Sequence, residues 1–330
     1  MHRQTTASTT EYRKIDIYGT AAVLGSVVCW GSVPVLLREL TDSVDAWTAN
    51  AVRYPLSALL YWPVLFITWR SGTLNRQVIA RCAIPAALAL SGQVFWALAP
   101  YYLTASSIGF FVRMSLVWSL LAAMILFADE RRLLRVPGFY LGLLLAIGGF
   151  VVLSVSRGLL DASVTLTGVA IIFTCSLFFG LYAVSVRKCL RGIHPLIGFG
   201  VVSQFVSIGT LTAGAMFGQL EDLLSLSTTS WCQLVSSSIL GIAFGHFFLY
   251  VGVGRLGAAI PAGVAAVTPL VTAALAIVFL DESLTTFQWV AGIGMMLGAV
   301  VLLRTQQVVV VASHGTESLD EKAACGEAGE

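Results

Sequence analysis

Charge is what this chain has least of. Only 11% of its 330 residues are Asp, Glu, Lys or Arg, against 57% hydrophobic. That is too apolar for a soluble domain and reads as a polytopic membrane protein. All seventeen acids fall in loops, span ends or tails, and none lies within an apolar run. Proton-coupled export of cationic drugs generally needs a carboxylate inside the membrane, so the sequence argues against that class. The six cysteines form no C-x-x-C pair, which excludes a disulfide framework or zinc module and leaves them as small apolar fillers. H-E-x-x-H, a phosphate-cradling loop and an intramembrane carboxylate pair are also missing, which argues against an enzyme. No cofactor, metal or nucleic-acid partner is expected. A signalling scaffold would bring longer loops or a folded tail.

What is present is a series of long apolar runs. They fall near 17–37, 46–69, 82–103, 107–128, 138–156, 165–186, 195–217, 231–253, 260–280 and 286–303, each about the length a membrane span requires. The first is too long for a signal-peptide core and lacks a small-residue cleavage site, so it reads as retained. Basic residues concentrate on cytoplasmic loops. With the N-terminus inside, 15 of the 19 Lys and Arg lie inside, Arg38 and Arg157 lie outside, and Arg53 and Arg113 fall within spans. Both termini are therefore expected in the cytoplasm.

The chain repeats itself. Residues 110–130, FFVRMSLVWSLLAAMILFADE, recur 152 positions later as AGVAAVTPLVTAALAIVFLDE, with six of 21 positions identical, including Asp129-Glu130 and Asp281-Glu282. Gly19, Gly31 and Arg38 match Gly168, Gly180 and Arg187 at an offset of 149, and a loop can absorb the difference of three. Each half then holds five spans, and an odd number forces the halves to cross in opposite senses. The expected fold is all-α: ten transmembrane helices as two inverted five-helix repeats. The expected divisions are a cytoplasmic segment 1–16, repeats 17–156 and 165–304, and a disordered cytoplasmic tail 305–330. Inverted repeats place a binding site where the halves meet, so that rocking exposes it to each side in turn. That is a physical argument for transport.

Each half opens with an aromatic-Gly pair (Trp30-Gly31, Phe179-Gly180) and closes with Asp-Glu. In these features the chain resembles the drug/metabolite transporter superfamily, EamA-like branch, over residues 17 to 304. The resemblance implies transport of a small metabolite or amino acid through a central cavity in the cytoplasmic membrane of a prokaryote. One departure stands out: the family's proline in the fourth span is kept as Pro269 in the second half but is Val117 in the first. The first-half span is therefore expected to be straighter. The small relatives that export cations use a glutamate in their first helix, and none is present here.

An ionisable group within a span faces an interior or a watery cavity. Arg113 lies about 9 Å and Arg53 about 10 Å along their helices from the outer face, so the two guanidiniums fit one layer. Arg113, replaced by Ala265 in the other copy, is the leading substrate contact. Arg53 serves structure or substrate, since relatives often carry an arginine at the start of the second span. His246 is a second titratable candidate, although a lone histidine is more often bonded to a carbonyl. The other expected cavity residues are Trp30, Gln93, Trp96, Trp118, Tyr182 and Gln204, with Tyr101 and Tyr250 weaker because aromatics near span ends serve the interface. A cationic cavity suits an amino acid or organic anion whose carboxylate meets an arginine fork. Multidrug efflux and a passive channel stay open as alternatives. G-x-x-x-G pairs (Gly138 and Gly142, Gly294 and Gly298) suit close packing in spans 5 and 10, with a homodimer through those spans as the other use.

Overall fold

The computed structural model describes residues 16–160, 166–257 and 259–326, so the expected segment 1–16 lies, apart from Asp16, outside the described residues. Every regular element among them is a helix. The spans are Ile17–Glu39, the pair Ala46–Leu59 with Trp62–Arg70, Arg76–Tyr101, Ala105–Leu126, Pro137–Ser156, Leu166–Cys189, Pro195–Phe217, Thr228–Leu256, Ile260–Leu280 and Thr286–Gln307, numbered 1 to 10 below. Nine are each long and apolar enough to cross a bilayer, and the pair supplies the tenth. The pair bends by 46°, with Pro63 in the first turn of its second half. A proline there cannot donate to the preceding turn and crowds its carbonyl. The last helix runs on through Gly326, where the sequence reads as a disordered tail from 305. Its polar residues, among them Gln306, Gln307, Glu317, Glu321 and Lys322, are also good helix formers.

Spans 4 and 9 are interrupted at corresponding places. Span 4 breaks between Ala105–Phe111 and Met114–Leu126, and span 9 between Ala259–Ala265 and Thr268–Leu280. Across each break the backbone bonds tighten to three-residue steps, Arg113 N to Phe110 O at 3.1 Å and Val267 N to Val264 O at 3.0 Å. In span 9, Pro269 has no N–H to give Ala265 O, and the Thr268 hydroxyl donates there instead at 2.7 Å. Span 4, expected to be the straighter for want of the proline, is interrupted as well, close to where Gly109 meets Thr272.

Glycines set how the halves meet. A Cβ on Gly31 of span 1 would lie 2.7 Å from Val271 Cγ1 in span 9. One on Gly180 of span 6 would lie 2.6 Å from both Ser115 O and Trp118 Cβ in span 4. The same relation holds one layer on, where Gly19 faces Leu256 and Gly168 faces Tyr102 and Leu103. Each half's first span thus docks on the third and fourth spans of the other half. Close backbone approach maximises van der Waals contact where lipid supplies no hydrophobic drive.

Spans 5 and 10 pack on each other within the chain. A Cβ on Gly142 would meet Leu302 Cγ at 2.7 Å, and one on Gly298 would meet Ala146 N at 2.5 Å. Gly294 has nothing within 4 Å. Of the two uses weighed for these glycines, close packing between spans 5 and 10 is thus seen within the chain at Gly142 and Gly298, while Gly294 points away.

Candidate functional site

Between the halves lies a cavity of about 280 Å³, walled by spans 1 to 4 and 6 to 9. Of the nine site residues expected from the sequence, seven line it: Trp30, Arg53, Gln93, Trp96, Arg113, Tyr182 and His246. No Asp or Glu is among its lining residues. Its charged groups are two arginines.

Arg113 sits in the gap between the two halves of span 4. Its Nε is buried and meets no protein acceptor. Buried guanidinium N–H groups are rarely left this way. Gln93 Oε1, on the same cavity, is likewise buried without a donor. Arg53 differs. It is 1% exposed and is tied to Asn50 Oδ1 at 3.1 Å and to Ser237 O at 3.4 Å. Asn50, one helical turn away on the same face, donates in turn to the Gln93 backbone carbonyl at 2.9 Å. Arg53 therefore braces spans 2, 3 and 8 while forming part of the wall.

Span 8 changes its winding at the cavity. Residues Ile239–Phe244 form a π-helical stretch, a geometry often found at functional sites. Side chains of other spans take up the carbonyls around it. Trp30 donates to Gly241 O at 3.0 Å, Ser57 to Ser238 O at 2.7 Å and Tyr61 to Ala243 O at 2.8 Å. His246 follows directly. Its Nδ1 lies 3.0 Å from Ile242 O, which assigns the Nδ1–H tautomer by inference. Its ring stacks on Phe199 at 4.0 Å and meets Trp30 edge-on at 5.2 Å. With no acid beside it, this histidine is built in as an aromatic wall.

Two expected residues lie elsewhere. Trp118 stands five positions beyond Arg113, which turns it roughly 140° around the helix. It packs edge-on against Phe173 at 5.1 Å and beneath Gly180. Gln204 turns toward the bend of span 2, donating to Ala58 O at 3.0 Å and accepting from Trp62 Nε1 at 3.1 Å. Of the weaker candidates, Tyr101 bonds Val44 O at the span end and Tyr250 packs beside Phe199 and His246. Sequence reasoning missed Asn50, Phe179, Phe199 and Thr272. Only the Asn50–Arg53 pair, one turn apart, carried a readable signal.

The arrangement is a small chamber with aromatic walls and a fixed positive charge. A family model described as EamA-like transporter family matches residues 17–155 and again 166–304. A protein of Haemophilus influenzae described as an uncharacterized transporter is 21% identical over 280 residues, covering 82% of this chain and 91% of its own. A solved crystal structure superposes with a TM-score of 0.59 at 15% identity, covering 86% of this chain and 96% of that one. At that identity it speaks for the fold alone.

Proposed function

The chain belongs to the EamA-like transporter family, and from that premise we propose that it is an alternating-access carrier of a small organic anion or zwitterion, an amino acid or an organic acid. One observation carries the substrate reading. The cavity between the inverted halves presents the Arg113 guanidinium, with Nε lacking a protein acceptor, and no carboxylate to neutralise it. Arginine's planar fork suits bidentate pairing with a carboxylate. The inverted repeat supports a carrier over a fixed pore, because two equivalent halves can rock about a shared site.

The test is flux in proteoliposomes. Saturable counter-flow is expected, and simple leak would support the channel alternative. A carboxylate substrate should be taken up at least tenfold better than its amide or ester, since a hydrogen bond to a charged group is worth about 1.5–3 kcal/mol. Equal transport of acid and amide, or a preference for lipophilic cations, would overturn the anion reading and favour multidrug efflux.

We place the carrier in the cytoplasmic membrane with both termini inside, on the asymmetry of basic residues. A reporter fused to the C-terminus should be active only in its cytoplasmic form. A periplasmic signal there would overturn this orientation.

A further inference from the structure

The two glutamates that close the duplicated segment, Glu130 and Glu282, are repeat equivalents at opposite ends of the fold. Each leaves its own half to bind the other. Glu282, at the end of span 9, accepts the Ala105 amide at 2.6 Å, the Ser106 amide at 3.1 Å and the Ser106 hydroxyl at 2.5 Å. These donors begin the seven-residue helix Ala105–Phe111, and Arg113 follows two residues after its end. At the opposite face Glu130, 1% exposed, pairs with Arg187 of span 6 and accepts from Gln306 Nε2 of span 10 at 3.2 Å. The Arg187 guanidinium also lies 4.5 Å above the Phe127 ring.

From this placement we propose that Glu282 and Glu130 are paired latches of the transport cycle, Glu282 holding the halves together at the face away from the chain ends and Glu130 at the face that bears them. The inference rests on the carrier reading and adds the residues that gate it. Both latches are made in this structure. Alternating access requires each to open while the other holds, because a state with both released would leak. The Glu282 latch grips the short helix that leads to Arg113. A substrate that draws on Arg113 therefore pulls on the same half-helix that this carboxylate clamps. The second latch is carried just beyond the other half of span 4, Met114–Leu126, and ties that half-helix to spans 6 and 10. The two closures differ in chemistry as well: a carboxylate on backbone amides at one face, a charge pair at the other. Glutamine at either position keeps an acceptor but loses the charge, and the bonds weaken accordingly.

The test uses the full chain in lipid vesicles. Ser115 lines the cavity, so Ser115→Cys in a background with the six native cysteines replaced reports access by a membrane-impermeant maleimide from each face. Adding Glu282→Gln should speed labelling from the face away from the chain ends by about tenfold and leave the other face unchanged. Adding Glu130→Gln should do the reverse. Ser106→Ala, which removes the hydroxyl donor and leaves both amides, should shift labelling in the same sense as Glu282→Gln but less. It keeps the question decidable if Glu282→Gln fails to insert. A purely structural role would lower stability without changing sidedness. Acceleration from the same face by both glutamate variants, or from neither in folded protein, overturns the latches. Missing counter-flow in the unmodified chain overturns the carrier reading and the latches with it. Unchanged sidedness in variants of a chain that does show counter-flow removes the latches alone.

Discussion

Replacing Arg113 with alanine should abolish transport while leaving a protein that inserts and melts close to the unmodified one. The guanidinium has no protein acceptor at Nε, so its removal breaks no described internal hydrogen bond there. Its repeat partner is already alanine, Ala265, at the corresponding break in span 9. Losing a charge-assisted bond to substrate costs about 1.5–3 kcal/mol, roughly ten- to a hundredfold in affinity. Arg113→Lys keeps the charge but loses the planar fork, and should retain a fraction of the flux with weakened affinity. Arg53→Ala should behave differently. It strands Asn50 Oδ1 and Ser237 O, so its main signature should be a lowered melting temperature. Ligand-induced thermal shift and proteoliposome flux on the same preparations separate the two. A folded Arg113→Ala protein with unchanged affinity and flux would remove Arg113 from the site.

The second large effect is expected at Gly180. A Cβ there would sit 2.6 Å from Ser115 O and Trp118 Cβ and 2.9 Å from Ser119 N. Backbone atoms cannot swing aside as a side-chain tip can, so spans 4 and 6 must separate. Overpacking of this kind costs about 1–3 kcal/mol or more. Gly180→Ala should lower the melting temperature markedly in detergent, and Gly180→Leu should prevent recovery of folded protein. Gly148→Ala is the control, because nothing lies within 4 Å of that position and alanine favours a helix by about 1 kcal/mol over glycine. Equal tolerance at both positions would mean that the span 4–span 6 crossing is not held this closely.

Much of this architecture was legible in the chain. Ten apolar runs gave the spans, and the Asp-Glu and aromatic-glycine echoes gave the repeat, because membrane length and inverted duplication are written in one dimension. The offset change from 149 to 152 falls where a loop was expected, in the long connection between Phe217 and Thr228. Arg113 was legible because a charge in a span has few permissible places. Trp118 lies off the cavity because a step of five positions from Arg113 carries it to another face of the helix. Gln204 was misplaced because the bend of span 2 freed a polar partner that no local pattern announces. The π-helical stretch was invisible for a similar reason. Nothing in Ile239–Phe244 demands an extra residue per turn, and the donors that occupy the carbonyls around it come from residues 181 to 211 positions away.

The glycine crossings bear on how this protein is made. Span 1 finishes its packing only against spans 8 and 9, through Gly19 on Leu256 and Gly31 on Val271, separations of some 240 residues. At about 5–20 residues per second of synthesis, its narrow glycine face waits roughly 10–50 s in the lipid before its mate emerges. During that interval the first repeat is a set of inserted helices without a closed bundle. A ribosome that stalls before span 9 leaves a product in which Gly31 never meets Val271, so the first helix lacks its closest docking surface.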